Sequence, residues 1–401
     1  MKLRCIGCGR TIVSDPSSTL LCPHCGDMLE WINERSTSAG ALLPPPQEFT
    51  LWRYSSLLPD IGNGGIVSLS EGGTPLQYSD RLSELLGIEE LFIKNEGRNP
   101  TGSFKDRGMS VALTAARSAG RESVVCASTG NTASSMAAYC AKAGMKAFVV
   151  VPKGKVAGAK LKQTALYGGT ILEVDGNFDM ALEMVRDLSW KGGPAIMNSI
   201  NPMRIEGQKT GAFEVCDQLS SSPDWLIIPV GNGGNITAYW KGFLEFRALG
   251  AVSSLPRLVA VQAEGASPVV SSINSGQEEV TFEDAPETIA TAIRIGKPAN
   301  WRRAMAAVRE SNGAAVKVTD MEIMAARKAV ASREGTLVEL ASASTIAAAI
   351  RLREQGAIRR DETVVCVTTG NGLKDVDQSE EPGSISIRNS GDLESILLNG
   401  G

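Results

Sequence analysis

A chain of 401 residues suits about two domains, and its 43% hydrophobic and 21% charged residues are those of an ordinary enzyme-sized protein. The formal charge of −4 argues against a nucleic-acid partner, which needs a basic face. No apolar run reaches the roughly 18 residues of a membrane span, and MKLRCIGC lacks the apolar core of a signal peptide, so small-molecule work in the cytoplasm is expected.

At the N-terminus, CIGC and CPHC set Cys5, Cys8, Cys22 and Cys25 in two knuckles separated by 13 residues. Each knuckle offers two sulfurs from one tight turn, so the four can surround one structural zinc; free thiols or a disulfide are the alternatives. Gly9 and Gly26 suit the turns, and the one histidine, His24, reads as a bystander. That single histidine also removes a Ser-His-Asp relay, leaving acid–base work to Lys, Asp, Glu, Tyr or Cys. Residues 1–35 are thus expected to form a zinc-ribbon-like segment, followed by a Ser/Gly/Pro-rich linker over 36–50.

From Leu91 onward, short β-branched runs alternate with amphipathic stretches, the signal for a parallel sheet in an α/β fold. Strands are expected at LFI (91–93), SVVCAS (123–128), KAFVVV (146–151), TILEV (170–174), WLIIPV (225–230), RLVAVQA (257–263) and TVVCVT (363–368). TASSMAAYCAKAG (132–144) and MALEMVRDLSW (180–190) read as helices between them. Cys126, Cys140, Cys216 and Cys366 sit among apolar residues and read as core. The last segment, 377–401, reads as a flexible tail.

Doubly wound sheets gather ligands at the carboxyl ends of their strands, and three strand ends here carry unusual residues. WLIIPV runs into GNGGN (231–235), where glycines let backbone N–H groups approach an anion and a helix start adds its dipole. A tight turn or a dinucleotide site with Glu264 are the alternatives, but GNGGN is not G-x-G-x-x-G, and a small phosphate-bearing cofactor fits better. SVVCAS runs into STGNT, whose Ser128, Thr129, Asn131 and Thr132 form either a carboxylate site or an ordinary helix cap. TVVCVT leads to Thr369 before TGNGLKD, which taken alone is turn chemistry.

Lys105, in NPTGSFKDRG, opens a helix, where the dipole disfavours a positive charge. Dipole and partial burial both favour the neutral amine, the form that attacks carbonyls. A phosphate cup, a carboxylate cup, an activated lysine and no catalytic histidine fit a pyridoxal-phosphate enzyme.

NPTGSFKDRG, CASTGNT, NSINPMRIEGQKTGAFE (198–214), PVGNGGN, ATAIRIGKPANW (290–301) and TTGNGLKD resemble, in order, the signature segments of the threonine synthase family, fold-type II pyridoxal-phosphate enzymes of the tryptophan-synthase-β-like group. The resemblance runs from about Trp52 to Asp375. It implies two doubly wound open-sheet domains behind a small four-cysteine ribbon: a large cofactor-binding domain from 51–100 and 201–376, and a small domain from 101–200. It implies a homodimer.

Carried over by position, the resemblance makes Lys105 the Schiff-base lysine and proton shuttle. Asn131 would meet the cofactor's 3-hydroxyl, Gly231, Gly233, Gly234 and Asn235 its phosphate, and Thr369 its pyridine nitrogen. Ser128, Thr129 and Thr132 would hold the substrate carboxylate; Asn198, Ser199, Arg204 and Asn232 would surround the substrate phosphate. By charge alone Arg204 suits phosphate, although without the resemblance its surroundings read rather as a helix surface. The implied reaction turns O-phospho-L-homoserine and water into L-threonine and phosphate. A cysteate-synthase-like paralogue using O-phosphoserine and sulfite, or a zinc-ribbon binding protein with a degenerate enzyme body, are the competing readings. Leu340, Lys297 and Asn371 depart from the family's usual Pro, Asn and His.

Overall fold

The computed structural model describes residues 1–14, 20–33, 49–61, 64–154, 158–176, 178–190 and 193–378. The expected linker, apart from 49–50, and the expected tail, apart from 377–378, lie outside the described residues.

Three short strands build the N-terminal ribbon: β1 (Lys2–Cys5), β2 (Thr11–Val13) and β3 (Leu29–Trp31), with β1 central and antiparallel to both neighbours. Leu3, Leu29 and Trp31 are buried and join a core shared with the chain beyond. The expected knuckle glycines, Gly9 and Gly26, adopt φ of 70° and 75°.

Further along come β4 (Leu76–Tyr78), α1 (Asp80–Leu86), β5 (Glu90–Asn95), α2 (Lys105–Ser118), β6 (Ser123–Ala127), α3 (Asn131–Ala143), β7 (Lys146–Pro152), α4 (Ala159–Leu166), β8 (Thr170–Val174), α5 (Phe178–Trp190) and β9 (Ala195–Ile196). These are followed by α6 (Pro202–Leu219), β10 (Trp225–Pro229), α7 (Gly234–Ala248), β11 (Arg257–Ala263), α8 (Pro268–Asn274), α9 (Trp301–Glu310), β12 (Ala314–Val318), α10 (Asp320–Glu334), α11 (Leu340–Glu354) and β13 (Thr363–Thr368).

The strands form two further sheets. One has the order β12-β11-β10-β13-β5-β4, parallel except for β4, which runs antiparallel to β5 at the edge. The other is β8-β7-β6-β9, parallel throughout. All seven expected strands are present, within a residue or so at most ends. The three short strands β4, β9 and β12 were not expected. Two of them are too short for a pattern to register, and AAVKV in β12 carries too little β-branched character to stand out.

Side chains alternate along each central strand, as a pleat requires. Ile227, Val259 and Val364 pack with α10 and α11 on one face, while Leu226, Ile228, Leu258 and Val365 pack with α6, α7 and α9 on the other. In the smaller sheet Val124, Cys126 and Val149 face α2 and α3, whereas Val125, Ala127 and Val150 face α5. Both sheets are therefore covered on both faces, which is why their strands read as unbroken apolar runs. The four core cysteines are all buried as expected.

Candidate active site between the two sheets

Lys105 is the first residue of α2. The turn before it is clamped to the end of β13: Phe104 N donates to Thr369 O (3.0 Å), Asn371 N donates to Gly102 O (2.9 Å), and Ser103 bridges Gly370. The two residues after Lys105 hold the helix from below. Asp106 is fully buried and accepts from Thr101 N (2.7 Å), Thr101 Oγ1 (2.6 Å) and Ser135 Oγ (2.6 Å), which closes the Pro-Thr-Gly-Ser turn. Burial still pushes its carboxyl up to about 6. Arg107, also fully buried, forks between Glu96 (2.7 Å) and Glu214 (2.6 Å), and Lys94 adds a third contact to Glu214 at 2.8 Å. This network welds β5, α2 and α6 together.

The amine of Lys105 lies 4.0 Å from the Phe104 ring centre. The side chain is half-buried, and its amine is enclosed by protein. Burial first, and then the positive charge of Arg204, push it well toward the neutral form; Glu339 opposes this. The expectation of a lysine biased to neutrality at a helix start matches this geometry.

The glycine cup joins β10 to α7. Gly233 caps the helix with φ of 80°, and a Cβ there would meet Asn300 O and Ala304 Cβ at 3.1 Å. A Cβ on Gly231 would sit 3.0 Å from Ala292 O, and one on Gly234 3.7 Å from Ile205 Cδ1 in α6. Asn235 is buried, yet neither its Oδ1 nor its Nδ2 has a partner among the described residues. Such a group costs about 1–3 kcal/mol if left so. Asn232 is held by Asn300 N, which donates to its carbonyl (2.9 Å), and by Ala299 N, which donates to its Oδ1 (3.3 Å).

At the end of β6, Ser128 Oγ accepts from Gly130 N (3.1 Å), Thr129 is exposed and Thr132 is half-buried in the first turn of α3. Asn131 Nδ2 donates to both carboxylate oxygens of Glu339 (3.0 and 2.9 Å), leaving its buried Oδ1 unpaired. Thr369 is 5% exposed, with its hydroxyl 3.1 Å from Ser342 Oγ.

Asn198 spends its amide on the backbone of Ala127, accepting from N (3.1 Å) and donating to O (2.9 Å), so it holds the strand end that carries Ser128. Ser199 O accepts from Asn300 Nδ2 at 3.2 Å. Arg204 lies in the first turn of α6, which Asn201 caps through Met203 N with Pro202 as its opening residue. The residue is buried, not on a helix surface; Nη1 donates to Met197 O (3.0 Å), and among the described residues Nε has no partner and no carboxylate pairs with it. Burial lowers its pKa from 12.5 to about 10.

Several site residues gave no signal in the sequence. Glu339 sits fully buried beside Asn131 and pairs with Lys160 at 2.9 Å, which also pairs with Asp375 at 2.9 Å. Asn300 ties Asn232 to Ser199, and Ser342 supports Thr369. The one available hint was a lone Glu between Val338 and the small-residue helix that follows. Of the three departures, Asn371 stabilises its own turn through Leu373 N (3.0 Å), and Lys297 pairs with exposed Asp284 (3.0 Å).

In the ribbon, the sulfurs of Cys5, Cys8, Cys22 and Cys25 all lie within 4.8 Å of one another, with Cys5–Cys25 at 3.3 Å and Cys8–Cys22 at 3.7 Å. None is in a disulfide. The amides of Cys8 and His24 donate to Cys5 Sγ and Cys22 Sγ, both at 3.4 Å, while the His24 side chain is exposed. Four sulfurs this close fit a tetrahedral ion with bonds of about 2.3 Å.

A family profile described as "Pyridoxal-phosphate dependent enzyme" matches residues 67–370. The chain belongs to that family of enzymes, and its fold agrees. It superimposes on maize serine racemase with a TM-score of 0.64 at 23% identity, covering 82% of this chain and 92% of that one. The processed form of threonine deaminase isoform 2 from Solanum lycopersicum gives 0.64 at 21%, covering 92% and 100%. Sequence relatives narrow the class. Over 390 residues the chain is 50% identical to the threonine synthase of Methanocaldococcus jannaschii, covering 95% of this chain and 96% of the relative. It is 48% identical over 386 residues to that of Methanosarcina acetivorans, covering 95% of each. Within the pyridoxal-phosphate enzymes, the chain falls in the threonine synthase family.

The residues present fit that cofactor. An amine biased to neutrality, a cradle in which a Cβ on Gly231 or Gly233 would be crowded by backbone, and a buried amide at Asn235 without a partner among the described residues are what an aldehyde bearing a phosphate needs.

Proposed function

We propose that this chain converts O-phospho-L-homoserine and water into L-threonine and phosphate, as a pyridoxal-phosphate-dependent lyase acting on a phosphorylated substrate in amino-acid biosynthesis. The observation that carries the reading is Arg204: a buried guanidinium with no carboxylate partner, near enough to Lys105 to bias its charge. A site whose substrate lacked a phosphate would have little use for it.

In this reading Lys105 holds the cofactor covalently, Gly231, Gly233, Gly234 and Asn235 take its phosphate, Asn131 meets its 3-hydroxyl and Thr369 its pyridine nitrogen. When bound, pyridoxal phosphate supplies an electron sink for charge developing at the substrate's α-carbon. Ser128, Thr129 and Thr132 would grip the substrate carboxylate, and Arg204, Asn232 and Ser199 would surround its phosphate, with Asn198 contributing by holding the Ala127 strand end. Lys105 would take first the α-proton and then a β-proton of the substrate as the γ-phosphate leaves, and its low affinity for protons would let it return them to the α- and γ-carbons as water adds its hydroxyl at the β-carbon. Arg204 stabilises the dianion as it departs from the γ-carbon.

The same reading places a structural zinc on Cys5, Cys8, Cys22 and Cys25, joins two chains as a homodimer and works in the cytoplasm. No described helix is long and apolar enough to cross a membrane. It also divides the chain into a large cofactor-binding domain (51–100 and 201–376) and a small domain (101–200), because the six-stranded sheet draws only on the first set and the four-stranded sheet only on the second. Similarity does not favour the phosphoserine–sulfite alternative, and the bias of the Lys105 amine toward neutrality supports a working enzyme over a degenerate one.

The test is direct. Purified protein supplied with the cofactor should release threonine and phosphate from phosphohomoserine and show a visible band that borohydride fixes. Lys105→Ala should lose both the band's fixation and the activity. Sulfite-dependent turnover of phosphoserine instead, or a colourless protein, would refute the reading.

A further inference from the structure

Glu339 has no task in that mechanism, yet it is fully buried beside Lys105. It occupies the residue before α11, where the helix dipole favours a carboxylate. Lys160 reaches it from α4 at 2.9 Å, and Asn131 reaches it from α3. Room for it is built into the neighbouring loop: a Cβ on Gly370 would lie 2.0 Å from Glu339 Oε2. The residue after Thr369 must therefore be glycine if the carboxylate is to stand there.

An ionised carboxylate accepts hydrogen bonds and donates none. Glu339 accordingly holds the nitrogen end of the Asn131 amide, with contacts of 3.0 and 2.9 Å, and turns the oxygen end away. That Oδ1 is buried and has no partner. Without Glu339 nothing in the amide itself would choose between its two ends, which differ only in donating or accepting.

We propose that Glu339 is a positioning residue that fixes the orientation of the Asn131 amide, so that Asn131 offers its carbonyl oxygen to the bound cofactor and selects a protonated 3-hydroxyl there. The proposal rests on the reading of Asn131 as the contact to that hydroxyl. Lys160, in α4 beside the smaller sheet, pairs with Glu339 and Asp375, both from the part of the chain that carries the larger sheet, so the same choice is tied to the two sheets lying together.

Two variants separate orientation from charge. Glu339→Gln presents both a donor and an acceptor, so Asn131 can turn over, but it also removes a negative charge that acts on Lys105, Lys160 and Lys374, the last two of which also feel Asp375 and Lys374 also Asp106. Gly370→Ala keeps the charge and pushes the carboxylate off the amide. The readout is the absorbance of the cofactor-loaded enzyme as a function of pH. Both variants are expected to change the ratio of the protonated and deprotonated cofactor bands and to move the spectral midpoint by about one pH unit or more. In both, kcat should fall more than KM for phosphohomoserine rises. A change in Glu339→Gln alone, with Gly370→Ala matching wild type, would assign the effect to charge and overturn the proposal, as would wild-type spectra in both. Should Glu339→Gln not fold, Gly370→Ala decides by itself. A wild-type protein without any borohydride-fixable band would sink the cofactor reading, a distinct failure.

Discussion

Replacing Arg204 by methionine should leave the ligand-free protein as stable as before, or more so, while ending phosphate recognition. Burial lowers the guanidinium's pKa from 12.5 to about 10. A base whose folded pKa lies below its unfolded value holds its charge less willingly when folded. At neutral pH it is charged in both states, so the whole difference counts against folding. At about 1.36 kcal/mol per pH unit that is about 3 kcal/mol. Methionine removes this cost and also the hydrogen bond to Met197 O, a charged bond that contributes about 1.5–3 kcal/mol. The net gain is then between zero and about 1.5 kcal/mol. With an unfolding entropy of about 2.1 cal/mol/K per residue, a chain of this length gains at most about 2 °C in Tm. Unfolding would be followed with and without inorganic phosphate, alongside phosphohomoserine turnover. Wild type should gain stability from phosphate and Arg204→Met should not, while kcat/KM falls by about 100-fold or more, equivalent to about 2.7 kcal/mol. A variant that lost more than about 2 kcal/mol without ligand would show that Arg204 serves the fold, and the reasoning would fail.

Two further outcomes follow from the buried charges and the ribbon. Burial opposes ionisation of Glu214, but Arg107 and Lys94 outweigh it and hold its carboxyl below 4.5, so its stabilisation is present at neutral pH and disappears as pH falls from about 4.5 through the lower folded value. Glu214→Gln should cost about 3–5 kcal/mol at neutral pH, since it strands Arg107 and Lys94, and should flatten the acid limb of the stability–pH curve measured by urea unfolding; an unchanged limb would contradict this. Cys22→Ser should drop zinc content from about one ion per chain to near zero, while the cofactor band persists, because the sulfur cluster lies in the ribbon and the cofactor residues do not. Full zinc retention in that variant would rule out the four-sulfur site.

Local chemistry was legible wherever a residue's neighbours in the chain explain it. The seven long strands, the knuckle turns at Gly9 and Gly26, the helix opening on Lys105 and the GNGGN cup all answer to patterns within about ten residues. Arg204 was harder. In MRIEGQKTGAFEV its charge sits among polar residues and reads rather as a helix surface, yet α6 is buried almost throughout because α2, α7 and the ribbon pack around it. Asn198 shows the opposite case: the segment NSINPMR singles it out, but its amide is committed to Ala127, a strand end 71 residues away in the chain.

The sequence by itself determined the run of βα units, the four-cysteine cluster and an amine placed at the wrong end of a helix for its charge, since each follows from periodicity, spacing or the helix dipole. Only the tertiary structure decided what surrounds that amine. Glu339 comes from far later in the chain and Lys160 from the other sheet, and their meeting with Asn131 depends on how β13, α3, α4 and α11 converge. A buried carboxylate's partners, and therefore which end of an amide faces the site, are set by contacts across the fold that no local pattern encodes.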